Sequence, residues 1–206
     1  MNMIENSMLF ALSDITKNGL CIGCGLCQSI VGEDKITISM TDKGRLEPEE
    51  VKPLSSEEFD KIKKVCPGVL VEGLAKEEVN ENSKHDLIWG YYNSLFYSWS
   101  TDPKIRFQSS TGGFLNGLSL YLLETKQVDF ILHTAGDPDQ PMRSIPKFSY
   151  NKEDLLNCES RSRYGPASSL SKFNEALDKN QNFAFIGKPC DISAIRQLSK
   201  SDERVN

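Results

Sequence analysis

Three cysteines fall at intervals of three in "GLCIGCGLCQS": Cys21, Cys24 and Cys27. A fourth, Cys66, stands directly before Pro67, with 38 residues (66 − 27 − 1) between it and Cys27. A C-x2-C-x2-C run completed by a distant Cys-Pro is the ligand spacing of an iron–sulfur site. The reason is local. A cubane presents its iron corners a few ångströms apart, so a tight loop must aim several thiolates inward. Gly23 and Gly25 let the backbone turn sharply and approach an inorganic core. The N–H groups they expose can then donate to the sulfurs and offset negative charge. Zinc is the competing reading, but its sites usually pair two C-x2-C knuckles, or a knuckle with histidines. The two histidines, His85 and His133, have no ligand-like spacing. Chance clustering of buried thiols is the third reading, against which the regular spacing and the glycines argue.

Two further stretches carry possible chemistry. In "KIRFQSSTGGF", Ser109, Ser110 or Thr111 can cap a helix while Gly112 and Gly113 expose its first N–H groups. Such an end accepts a phosphate or an anionic ring edge, with Lys104 and Arg106 just upstream. The plain alternative is a well-capped helix in close packing. In "FIGKPCDIS", Gly187 and Pro189 shape a turn after a strand and set Cys190 near a helix N-terminus. That position suits a thiolate ligand or redox thiol; a small apolar residue packed under the turn is the alternative. "SRSRYGP" gathers Arg161, Arg163 and Tyr164, either as a solvated basic turn or as a contact to a flavin phosphate. Cys158 has no comparable setting and reads as structural. No histidine stands in a motif and no carboxylate pair is distinctive, so no general acid or base is assigned.

The elements that must position these residues follow from periodicity. "KITISM" puts Ile36, Ile38 and Met40 on one face of a half-buried strand, and "TDKG" supplies a turn. Ser55 and Glu58 form a capping box, Leu54 can staple onto Phe59, and Phe59, Ile62 and Val65 stripe a short helix that Pro67 ends. Cys66 thus sits at a helix terminus, able to swing back to the triple. Residues 94–100, 128–134 and 183–188 read as strands. "GGFLNGLSLYLLE" reads as a helix buried on most faces, "SLSKFNEALDK" carries a helical stripe of Leu170, Phe173 and Leu177, and "DISAIRQL" starts another helix. The alternation points to an α/β fold, with α+β the alternative. A small ferredoxin-like iron–sulfur segment (1–71) and a charged linker (72–86) precede an α/β domain (87–206) with a mainly parallel or mixed sheet.

Composition bounds the rest. The 206 residues are 38% hydrophobic and 26% charged, with net charge −5, which gives no general reason to bind nucleic acid or an anionic membrane. No signal-peptide pattern opens the chain and no apolar run could span a bilayer, so a reducing cytoplasm without disulfides is expected.

These pieces occur in a familiar order. "CIGCGLC", "CPG", "SSTGGF" with "LYLLETKQVD", "SRSRYGP" and "GKPCDISAIRQL" resemble the beta-subunit family of coenzyme F-420 hydrogenases and dehydrogenases, which includes plant 7-hydroxymethyl chlorophyll a reductase. The resemblance implies an iron–sulfur flavoprotein oxidoreductase holding FAD and one or two [4Fe-4S] clusters. It would exchange electrons with a two-electron carrier such as a deazaflavin and with a redox partner of ferredoxin or hydrogenase/dehydrogenase type. It further implies that Cys21, Cys24, Cys27 and Cys66 are cluster ligands, that Cys190 belongs to a second cluster, and that Ser109 to Gly113, Arg163, Tyr164, Gly187 and Pro189 serve the flavin. Two departures stand out. Many relatives have an acidic residue where this chain has Thr111, and relatives continue beyond the position of Asn206. The flavin domain is therefore expected to be incomplete. A flavin-free electron-transfer module and a zinc-stabilised interaction domain are the alternatives.

Overall fold

Ile36 and Ile38 turn inward from β1 (Ile36–Met40), and Ile36 is fully buried. β1 pairs antiparallel with β2 (Leu46–Glu50), Met40 opposite Leu46, through a turn closed by the Thr41 N–H donating to the Arg45 carbonyl at 2.8 Å. The computed structural model describes residues 11–74, 76–157 and 163–205; Cys158 and Arg161 lie outside them. The hairpin is flanked by α1 (Leu12–Lys17), α2 (Leu26–Val31) and α3 (Ser56–Val65). The capping box forms as expected: the Glu58 N–H donates to Ser55 Oγ at 3.3 Å, and the Ser55 N–H to Glu58 Oε2 at 3.0 Å. Phe59, Ile62 and Val65 are the buried stripe of α3, and Cys66 caps its end. Leu12, Ile15, Ile36, Phe59 and Ile62 form one apolar cluster, with Cys21, Cys27 and Cys66 packed against it.

A small antiparallel ribbon, β3 (Lys84–Asp86) and β4 (Gly90–Tyr92), leads to α4 (Pro103–Gln108), α5 (Phe114–Glu124), β5 (Phe130–Gly136), β6 (Ser144–Ser149) and α6 (Lys152–Leu156). α7 (Phe173–Asp178), β7 (Phe183–Phe185) and α8 (Pro189–Ser199) follow. The central sheet has the order β6-β5-β7, with β5 antiparallel to β6 and parallel to β7. The fold is α/β with a mixed sheet. Flanked on both edges, β5 is buried along nearly its whole length, as a central strand requires. Phe130 stacks on Phe183 with centroids 5.1 Å apart and planes within 3°. The same core takes in Leu170, Phe173, Leu177 and Leu198 with Cys24, Leu26 and Val65, so the cysteine loop packs on the sheet's helical cover.

Two local expectations are corrected, and one element is added. Residues 94–100 form no strand. Leu95, Phe96 and Tyr97 stand exposed, and the segment's end is held at the Ser100 N–H, which donates to the Gly112 carbonyl at 2.7 Å instead of joining a ladder. The stretch before "SSTGG" is a helix: Asp102 accepts from the Lys104 and Ile105 N–H groups, and Pro103 occupies the first helical position. α5 buries only Ser119 and Leu120, while Phe114, Leu115, Leu118 and Tyr121 are exposed. An apolar helix tells what it could bury, and its neighbours decide what it does bury.

Candidate functional site

The four cysteines of the expected cluster line one cavity, walled otherwise mainly by apolar residues such as Leu12, Ile15, Ile38, Pro48 and Ile62. α2 and α3 bring them there: Cys24 and Cys27 flank the N-terminus of α2, and Cys66 ends α3. Each thiol has backbone N–H groups beside it. Gly23 N lies 3.4 Å from Cys21 Sγ, Leu26 and Gln28 donate to Cys24 and Cys27, and Gly68 and Val69 donate to Cys66. Burial pushes the Cys24 thiol up to about 12, and the neighbouring Cys66, Asp191 and Cys21 charges add to the rise. Burial likewise raises Cys21, Cys27 and Cys66. Four thiolates in so apolar a space require a cationic partner, and the N–H groups are placed to stabilise sulfur charge. Among the described residues, no group of three or more His, Cys, Asp or Glu side chains stands close enough to hold a metal ion. Four sulfur donors on a C-x2-C-x2-C loop and a Cys-Pro are nonetheless the donor chemistry of an iron–sulfur core.

The loop is fastened to the rest of the fold by residues 168–174. Ser168 Oγ donates to the Gly23 carbonyl at 3.0 Å, the Leu170 N–H to the Cys24 carbonyl at 2.8 Å, and the Asn174 N–H to Ser29 Oγ at 2.7 Å. Gly25 adopts φ +82° here, and a Cβ on it would meet Ser171 Cβ at 2.9 Å and Ser168 Cβ at 3.0 Å.

Beyond this strip lies a cleft of about 260 Å³. Its walls include Ser109, Ser110, Thr111 and Gly113 from the turn before α5, Arg163, and Gly187 from the turn before α8. Six of the expected flavin residues are thus brought together. Gly112, Tyr164 and Pro189 are not on these walls: Gly112 packs beneath Trp99, and Tyr164 is exposed. Cys190 lines neither the cleft nor the cysteine cavity. Thr111, Gly112 and Gly113 all take positive φ (49°, 64° and 70°), forming the turn that leads into α5. Arg163 is held in place: its Nη2 donates to the Arg143 carbonyl at 2.9 Å and to the Pro141 carbonyl, and its Nε to Ser144 Oγ at 3.4 Å.

Among the cleft residues that sequence reasoning missed are His133, Ser169 and Asp191. His133 comes from β5, is only 5% exposed, and shares a 2.8 Å hydrogen bond between Nε2 and Ser149 Oγ. Asp191 Oδ2 accepts from Ser169 Oγ at 2.7 Å and from the Lys188 N–H at 3.0 Å. The clue in the sequence was position: a histidine inside an apolar strand, and an acid at the third helical residue of α8 in "GKPCD".

Residues 95–174 match the family model "Coenzyme F420 hydrogenase/dehydrogenase, beta subunit N-term". Over that stretch the chain is similar to that beta-subunit family. The matched stretch contains the Ser109–Gly113 turn, Arg163 and the strip that holds the cysteine loop. Among curated relatives, the chain is similar to coenzyme F420 hydrogenase subunit beta of Methanococcus voltae, 26% identical over 114 residues that cover 54% of this chain and 40% of the relative. It is also similar to F420-dependent formate dehydrogenase subunit beta of Methanocaldococcus jannaschii, 30% identical over 104 residues, 50% of this chain and 27% of the relative. The chain spans less than half the length of these relatives. A solved F420-reducing [NiFe] hydrogenase complex from Methanosarcina barkeri (a xenon derivative) aligns with TM-score 0.45 and 27% identity, over 50% of this chain and 35% of that one. Among the described residues, no helix is long and apolar enough to cross a membrane.

Proposed function

We propose that this chain is an iron–sulfur flavoprotein oxidoreductase. It passes electrons between a [4Fe-4S] cluster and FAD, and on to or from a two-electron carrier such as a deazaflavin, as one subunit of a larger cytoplasmic redox assembly. The observation that carries this reading is the pairing of two sites. A four-cysteine cavity provided with N–H donors is joined through residues 168–170 to the cleft formed by the Gly-Gly turn. When bound, the flavin exchanges electrons in pairs and the cluster exchanges them singly. The protein's residues do the rest. Cys21, Cys24, Cys27 and Cys66 would hold the cluster. The hydroxyls of Ser109, Ser110 and Thr111, the α5 N-terminus and Arg163 would receive the anionic part of the flavin, and Ile186, Gly187 and Leu115 would border its ring. Cys190 would be a ligand of a second cluster.

Oxygen-free purification with iron, acid-labile sulfide and flavin quantified tests the proposal. Brown-yellow protein with about four irons and sulfides per chain and releasable FAD is expected. Brown protein without flavin would leave an electron-transfer module, and colourless protein containing zinc would replace the reading with an interaction domain.

A further inference from the structure

Asp191 is the feature of the cleft that its internal bonding leaves incomplete. It is fully buried on the first turn of α8. One carboxylate oxygen is fully used: Oδ2 accepts from Ser169 Oγ and the Lys188 N–H, with Lys188 Nζ 3.5 Å away. The other, Oδ1, has no hydrogen-bond partner among the described residues, although Asp191 lines the cleft. A buried acceptor left without a donor is costly, more so when it is charged. Such an atom beside a ligand cleft marks where a ligand donor belongs.

Resting on the flavin reading, we propose that Asp191 Oδ1 accepts the imide N–H of the isoalloxazine ring and so selects for flavins that carry it. The walls of the cleft also carry donors, Arg163 and the Ser109–Thr111 hydroxyls, while Asp191 is an acceptor beside Lys188 and the small Gly187 turn. A ligand with an anionic tail and a planar head bearing an N–H satisfies both kinds of group. A tail alone would leave Oδ1 unpaired.

The ligand side supplies the decisive test. The anaerobically purified protein is titrated with riboflavin and with N3-methylriboflavin, in which a methyl group replaces that donor. At least about tenfold weaker binding of the methylated compound is expected. Asp191→Asn supplies the protein side. Its amide oxygen can still accept from Lys188 and Ser169, while its NH2 turns the free position from acceptor to donor. Riboflavin affinity should fall about tenfold or more, and discrimination between the two compounds should vanish. Equal binding of both compounds by the native protein would overturn the assignment while leaving the flavin reading intact. Failure of the native protein to bind riboflavin or FAD at all would refute the flavin reading, and the assignment with it.

Discussion

Acidification should destabilise this protein through His133 before its carboxylates titrate. The imidazole is buried on β5, and burial, followed by the nearby Lys147 charge, pushes its pKa down from 6.5 to about 4, against an opposing hydrogen bond to the Thr134 backbone. In the unfolded chain it titrates normally. Below pH 6.5 the unfolded chain therefore takes up a proton that the folded one refuses. The contribution is fully present above that pH and is lost as pH falls toward 4. The whole difference corresponds to about 3 kcal/mol, and at about pH 5 roughly 2 kcal/mol should already be gone. Urea unfolding at about pH 7.5 and about pH 5 measures it, with His133→Gln as reference because its amide can still reach Ser149. The native protein should lose roughly 2 kcal/mol more than the variant over that interval. Equal losses would show that His133 is not held neutral, and with that its place as an uncharged wall of the cleft would fall.

Other perturbations separate the two sites. Cys24→Ser should abolish most of the iron and sulfide while leaving bound FAD, read by elemental and flavin analysis; full iron in the variant would remove Cys24 from the ligand set. Gly113→Val meets the Ile105 carbonyl at 2.9 Å in a left-handed conformation, so FAD affinity should drop about tenfold or more with the N-terminal iron retained. Gly25→Ala combines a left-handed penalty of about 1–2 kcal/mol with overlap on Ser171 and Ser168. Its melting temperature should fall by at least about 4 °C, and an unchanged melt would mean that the loop is not seated on that strip.

Much of this architecture was readable from local pattern. The capping box, the α3 stripe and the β5 run are short-range signals, and each appears where its residues demand it. The cysteine cavity was readable because ligand spacing is a property of a loop. What escaped was set by partners distant in sequence. β2, "LEPEE", carries a proline and three acids and looks like no strand alone; pairing with β1 makes it one. His133 and Asp191 lie 58 positions apart (191 − 133), and only the folding of α8 beside β5 brings them to one cleft. Residues 94–100 have the composition of a strand, but no ladder in the sheet accepts them.

The four residues from Ser168 to Ser171 touch the cysteine loop on one side and, through Ser169, Asp191 on the other. On the proposed function, a lesion there would show itself at the cysteine cavity and the cleft together. Genetic screens that sort defects by which chromophore is missing would thus find this tetrad in both bins, and its alleles would look pleiotropic although each alters a single hinge of shared masonry.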